Sequence, residues 1–399
     1  MKKILFIAPS CIPIVGSEAI VNIKLLKVLS QGGVRIDVVS RLHNNQLYPD
    51  VGYEQYGIKI DNLHIVETDS RLNLKTIWLH VKAFLLFGVS YRGAHWACMA
   101  LPFVLDLVKN NEYDAVITKD LPGELLGSYL KKKKGLKWIA TWNDPFPIEK
   151  YPFPYGKGVN ATLPLFARRL IYLMRCADYQ VFPSGRLRDY MLQYLLIQKD
   201  KTMVIPHVTF NPLTNLPHRD NRILRIVHTG NLSNPRNPNH LIQAFSKFIL
   251  KHPNATIQLD FVGATNNVLE LSNEYNVGKY IKVLPPMPYD KTQELLRNYH
   301  IALIVEAPCS EGVFLPTKVG DAMQCGVDIF AISPAEGVLN DLYREKHIGY
   351  FADVTQVGEI ENQLEIIWMD FMQAKIKVST IPEAYTPAFI FQQYKRMIG

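Results

Sequence analysis

Twice along this chain, short β-rich apolar runs alternate with longer segments of helical period, and this grammar restricts the fold more than any other feature. In the first half, Ile4–Ala8, Arg35–Ser40, His64–Thr68, Ala115–Thr118, Trp138–Thr141 and Tyr179–Pro183 read as strands, most of them followed by a helix. The second half repeats the pattern. Arg225–His228, Thr256–Val262, Lys279–Leu284, Ile301–Val305 and Asp328–Ile332 read as strands, with Leu241–Lys251, Tyr289–Asn298 and Thr317–Cys325 as helices between them. Strands separated by helices imply a parallel sheet covered on both faces. The expected fold class is therefore α/β, with two doubly wound Rossmann-like domains in tandem, over 1–212 and 222–381. Between them Pro206–Arg222, with three prolines and three asparagines, has no period and reads as a linker. A length of 399 residues suits two such domains. In open sheets of this kind ligands sit beyond the carboxyl ends of the strands, so the loops there carry the functional reading.

Composition narrows the partners. With 48% hydrophobic and 20% charged residues the chain is core-forming, and a net charge of +8 permits attraction to phosphates, nucleic acid or anionic lipid without choosing among them. Zinc-finger spacing, an aromatic–basic RNA signature and a basic heptad region are all missing, so no nucleic-acid partner is expected. Five scattered cysteines without metal or redox spacing read as reduced thiols in a cytoplasmic protein. The opening Met1–Pro9 reads as a buried strand rather than a signal peptide, because its apolar run stops at Pro9. No uncharged apolar stretch approaches the roughly 20 residues that span a bilayer.

Four constellations fall at strand ends. Gly16-Ser17 follows the first strand, where Gly16 lets backbone amides approach a ligand and Ser17 can cap the next helix; a plain strand-to-helix turn is the alternative. The segment Val227–Leu232 ends a strand in Thr229-Gly230-Asn231 and is followed by Arg236, whose planar fork suits a diphosphate, with a solvated loop arginine as the alternative. In Glu311–Asp321, Pro316 and Thr317 suit the start of a helix, so Lys318 stands in its first turn. A lysine there is electrostatically misplaced unless an anion shares the site, with an exposed lysine paired to Asp321 as the alternative. Asp321, one turn later on the same face, is placed to accept from ribose hydroxyls. Last, Asn143 and Asp144 follow the strand Trp138–Thr141 between Trp142 and Pro145, as ligand groups or as an Asx-turn.

Three further segments read more plainly. Lys131–Lys134 before Gly135 closes a helix against its negative end, with anionic lipid as the alternative partner. Ile77–Val89, rich in Trp, Phe and Leu and flanked by Lys75, Lys82 and Arg92, reads as core packing, with a membrane-surface helix as the alternative. Pro382–Gly399 is helical with aromatics and needs a surface to pack on.

Taken together, the Thr-Gly-Asn/Arg loop and the Leu-Pro-Thr-Lys…Asp helix resemble the donor half of retaining glycosyltransferases of the GT-B fold, in particular the family-four group that builds bacterial surface polysaccharides. The resemblance spans essentially the whole chain, with its specific motifs between Val227 and Gly326, and the Thr-Trp-Asn-Asp-Pro segment resembles an Asp-Pro-Trp stretch of the N-domain. It implies two domains facing a central cleft, with the terminal helix 382–399 crossing back to the first. It also implies that Arg236 and Lys318 bind the diphosphate beside Gly230, Asn231 and Gly312, that Asp321 holds the ribose, and that the base lies near Gly263, Met287 and Pro288. Many members carry two glutamates eight residues apart. Here Asp321 takes the second place and Val313 the first, leaving Glu311 as the nearby carboxylate for the sugar. Asp120 stands where the family often has a histidine, and with Gly16, Ser17, Asn143 and Asp144 makes up the acceptor side.

The activity implied is transfer of a sugar from a nucleotide-diphosphate sugar to a hydroxyl of a glycan or lipid-linked acceptor, with retention. The donor is a co-substrate, and no other cofactor is expected. No Asp-x-Asp pair suited to metal–phosphate binding is present, so no metal is expected either. A nucleotide-sugar epimerase of the same fold and a degenerate partner subunit are the alternatives. The expected place is the cytoplasm, with an anionic inner membrane face as the one surface the protein would lie against.

Overall fold

The structure is a computed structural model, and it describes residues 1–14, 16–42, 52–68, 73–91, 93–210, 219–263 and 267–399. Arg92, the middle of the expected linker and its boundary at 212 fall outside these residues. The chain divides into two compact units. The first comprises Met1–Lys150, Val159–Val208 and Ala384–Gly399, and the second Tyr151–Gly158 and Thr209–Glu383. The short segment Tyr151–Gly158 thus belongs with the second unit although it interrupts the first in sequence.

The first unit carries strands β1 (Lys3–Ile7), β2 (Arg35–Arg41), β3 (Asn62–Val66), β4 (Ala115–Lys119), β5 (Trp138–Thr141), β6 (Tyr179–Phe182) and β7 (Thr202–Val204). Its helices are α1 (Gly16–Gln31), α2 (Leu74–Phe87), α3 (Ala94–Asn110), α4 (Gly123–Lys134), α5 (Leu165–Met174) and α6 (Gly185–Leu195). In the second unit lie β8 (Leu224–Thr229), β9 (Ile257–Val262), β10 (Ile281–Leu284), β11 (Ile301–Val305), β12 (Asp328–Ser333) and β13 (Tyr350–Asp353). Its helices are α7 (Asn239–Lys251), α8 (Val268–Glu274), α9 (Tyr289–Leu296), α10 (Thr317–Gln324), α11 (Val338–Arg344) and α12 (Val357–Met372). The last helix, α13 (Pro387–Ile398), returns to the first unit.

Among the described residues every strand pair is parallel, in the orders β3-β2-β1-β4-β5-β6-β7 and β10-β9-β8-β11-β12-β13. The central strands β1, β4 and β11 are buried along their whole length, as strands covered on both faces are, Lys3, Thr118 and Lys119 included. Alternation divides β1 between two cores: Ile4 and Phe6 pack on one face, Leu5 and Ile7 on the other. In each sheet the strand order reverses at one point, between β1 and β4 and between β8 and β11, which opens a crevice at the carboxyl ends there.

Several details differ from the sequence expectation. Strand β3 starts two residues early because Asn62 pairs with Asp37 of β2. The edge strands β7 and β13, of three and four residues, are too short to stand out in the sequence. Ser17 stands inside the first turn of α1, which begins at Gly16, so it is not the residue before the helix.

Helix α2 is the larger correction. It does not bury the run Ile77–Val89 as core: only Thr76, Ala83 and Phe87 of the helix are buried, while Ile77, Trp78, Val81, Phe84 and Leu85 are exposed. The small buried face suffices for packing on α3, and the larger apolar residues lie on the opposite side. Among the described residues no helix is long and apolar enough to cross a membrane.

Candidate functional site

The crevice of the second sheet gathers charge. Beyond β8, Gly230 turns with φ +92°, and its amide donates to the Val262 carbonyl at 2.7 Å. Gly263 follows β9 with φ +124°, and a Cβ there would lie 2.9 Å from the Gly230 carbonyl oxygen. Both positive φ values favour glycine, and at Gly263 the two strand ends also pass too closely for a side chain. A Cβ on Gly230 would in turn stand 3.2 Å from Cε of Lys318, so the bare backbone of the loop leaves room for that lysine.

Lys318 sits in the first turn of α10, after Pro316, which precedes the helix with an extended backbone. Its ammonium is 3.2 Å from Nε2 of His228, a fully buried residue of β8. The other ring nitrogen, Nδ1, is 3.1 Å from the Leu303 carbonyl, which can only accept, so Nδ1 carries the hydrogen and Nε2 accepts from Lys318. Burial first, then the adjacent Lys318, holds the His228 imidazole well below its ordinary range and therefore neutral.

Arg236 approaches from the loop after β8, its Nε 3.4 Å from Oε2 of Glu306. Glu306 is buried directly after β11, across the reversal point from Gly230. Burial raises its carboxyl while Arg236 and Lys318 oppose that shift. Burial likewise pushes Lys318 down to about 8, with Glu306 countering and Arg236 adding to the fall. Two cations and one carboxylate at a helix N-terminus leave an excess of positive charge, which is what an anion requires.

The expected donor residues fall around this cluster. Asp321 accepts from the Tyr289 hydroxyl at 2.7 Å, and Tyr289 accepts from Gln324 at 3.1 Å, so the carboxylate one turn beyond Lys318 is held in place. Met287 and Pro288 follow β10, with Pro288 immediately preceding α9. Gly312 pairs its backbone with Gly337 and thereby ties the loop after β11 to the one before α11. Asn231 is exposed beside Gly230. Glu311 lies half-buried in the loop that leads to α10. The carboxylate beside the two cations is Glu306, and sequence reasoning did not select it, His228 or Tyr155. The signal for Glu306 was available: it is the first residue after an unbroken apolar strand. Tyr155 is drawn in because Tyr151 and Tyr155 both contact the Phe314 ring, at 5.7 and 5.6 Å between centroids. Burial pushes its hydroxyl up to about 12, with Arg236 pulling the other way.

In the first unit the crevice beyond β1 and β4 holds a second cluster. Asp120 follows β4 in a left-handed conformation, φ +66°. Burial, then the charge of the neighbouring Glu18, raises its carboxyl well above the ordinary range. Asn143 donates its amide to the same Glu18, and Gly16 and Ser17 lie in the helical turn that carries it. Glu18 therefore gathers the expected acceptor-side residues, though sequence reasoning passed over it. Asp144 is exposed beside Asn143. Behind them Glu124 is buried, accepts from the Thr118 hydroxyl, and is pushed up to about 8 by burial. Among the described residues no group of three or more His, Cys, Asp or Glu is placed to hold a metal ion.

No protein-family model and no curated protein matches the sequence. Solved structures do match across the whole chain. Anabaena Alr3699/HepE, in complex with UDP and glucose, is similar over 100% of this chain and 99% of its own, with TM-score 0.65 and 14% identity. Sucrose-phosphate synthase from Thermosynechococcus elongatus covers 100% and 96%, with TM-score 0.65 and 14% identity. The lipopolysaccharide outer core galactosyltransferase WaaB, in its apo form, covers 99% of each chain, with TM-score 0.62 and 14% identity. The fold is the two-domain α/β architecture of GT-B glycosyltransferases.

Proposed function

We propose that this protein is a glycosyltransferase that moves a sugar from a nucleotide-diphosphate donor to a hydroxyl of a glycan or lipid-linked acceptor. The observation that carries this reading is the Arg236–Glu306–Lys318 cluster at the N-terminus of α10, in the crevice between β8 and β11. In sugar transfer, negative charge builds on the departing diphosphate. Donors fixed in advance where that charge appears stabilise it without reorganisation at the moment of reaction. Arg236 supplies a fork for paired phosphate oxygens and Lys318 a point charge, while neutral His228 orients Lys318 without competing for the anion. Asp321, held by Tyr289, takes the ribose, and the loops after β9 and β10, with Gly263, Met287 and Pro288, take the base. Glu311 and Gly312 lie toward the sugar. We assign transfer with retention, without a metal, in the manner of the family-four enzymes of surface polysaccharide synthesis, with Asp120, Asn143 and Glu18 toward the acceptor.

The UDP and UDP-glucose bound to HepE make uridine donors the first to screen. Calorimetry across UDP-, GDP-, ADP- and TDP-sugars, followed by product analysis with lipid-linked acceptors, tests the reading. We expect one base to bind and the product to keep the donor's anomeric configuration by NMR. Lys318→Ala or Arg236→Ala should lower kcat by about 10²–10³-fold, as for a lost oxyanion donor. Unchanged turnover in Lys318→Ala removes the donor-site assignment, and isomerised donor without transfer makes the protein an epimerase.

A further inference from the structure

Helix α2 leaves an apolar face uncovered in the first unit. At 3.6 residues per turn, Leu74, Ile77, Trp78, Val81, Phe84 and Leu85 fall on one side of the helix, opposite the buried Thr76, Ala83 and Phe87. The exposure is large: 62% for Trp78 and 72% for Leu85. Lys75 and Lys82 fall along the border of this stripe.

The face continues beyond α2. Arg169 of α5 reaches the end of α2, within 2.9 Å of where a Cβ on Gly88 would stand. On α5, Leu165 is 82% exposed, and Phe166 and Tyr172 are exposed as well. Tyr172 has Arg169 and Lys132 near its ring, at 5.3 and 5.8 Å. Lys132 begins the exposed part of the four-lysine run that closes α4, and Lys133 and Lys134 follow it. One lysine would complement the helix end, and Lys131, paired with Asp178 at 2.7 Å, already stands there. Neither α2 nor α5 contains an acidic residue. Apolar side chains with a tryptophan among them, rimmed by cations and free of carboxylates, match the boundary between headgroups and acyl chains of a negatively charged bilayer.

We propose that the face formed by α2, α5 and the end of α4 docks the protein on an anionic membrane surface. Trp78, Phe84 and Leu85 enter the interface, and Lys132, Lys133, Lys134 and Arg169 meet the lipid phosphates. The proposal is independent of the donor site.

The test is flotation of the full chain with phosphatidylcholine vesicles, with and without phosphatidylglycerol. We expect binding only to the anionic vesicles, weakened by salt. The exposed Trp78 should be quenched by brominated lipid; of the other tryptophans, Trp96, Trp138 and Trp142 are buried. The triple variant Lys132→Gln, Lys133→Gln, Lys134→Gln should lose about 10²-fold in partitioning. Trp78→Ser with Phe84→Ser should abolish flotation while leaving nucleotide affinity and thermal unfolding unchanged, since both side chains are exposed. Three outcomes would overturn the proposal: no binding to anionic vesicles, binding unaffected by either set of substitutions, or a concentration-dependent dimer in sedimentation that the Trp78 and Phe84 substitutions dissolve. The last would make a second copy the occupant.

Discussion

Lys318 has surroundings that disfavour its charge, and burial leads among them, bringing it to about 8. An arriving diphosphate reverses that balance and raises the lysine, so binding takes up a proton above the unbound value. The sign follows: affinity for a nucleotide-diphosphate sugar, which has no terminal phosphate to titrate, is level below pH about 8 and falls as pH rises beyond it, by up to about tenfold per pH unit. Calorimetry over this range checks it. Affinity that climbs with pH would contradict the assignment, and Lys318→Met should flatten the break. A backbone consequence sits beside it. Gly263→Ala would place a methyl 2.9 Å from the Gly230 oxygen at a positive φ, and we expect a loss of about 1–3 kcal/mol in urea unfolding with an unchanged m-value. Gly230, Lys318, Arg236 and Asp321 were legible as candidate site residues because unusual residue types stand at strand ends. Glu306 and His228 were not, because their surroundings depend on a partner 70 residues away for Glu306 and 90 for His228.

Among the elements, α13 shows how far a pattern reaches. Its aromatic face is readable in the sequence, and it calls for a surface without naming one. That surface is α1 and the core behind it, where Ile390, Tyr394, Met397 and Ile398 are buried with Ile4 and Phe6. Gly32, at the end of α1, has no Cβ to exclude the Phe391 ring. Tyr394→Ala should therefore destabilise the first unit by about 3–5 kcal/mol, as buried aromatic truncations do. Denaturation followed in the isolated variant checks this, and a change below 1 kcal/mol, on the order of a surface substitution, would mean the helix is not part of the core. Helix α2 is the counterexample, because its period identifies an apolar face but not whether anything covers it.

For the whole molecule, the two strand-order reversals, one in each sheet, gather the candidate site residues. A nucleoside diphosphate at about a hundredfold its Kd should stabilise the structure that binds it by about 2.7 kcal/mol. Hydrogen exchange read by mass spectrometry should localise the effect to peptides spanning 226–237 and 301–324. Slowing elsewhere without slowing there would move the donor site.

The sequence by itself determined that the chain builds two parallel, helix-covered sheets, because hydrophobic period and the residues between strands are local properties. It also determined which loops carry cations and glycines at strand ends. Only the tertiary structure decided that Glu306 and not Glu311 stands between Arg236 and Lys318, that Glu18 joins Asp120 and Asn143, and that the apolar side of α2 stays uncovered. The reason is strand order. Placing β8 beside β11, and β1 beside β4, brings together side chains far apart along the chain, and no local period encodes that neighbourhood.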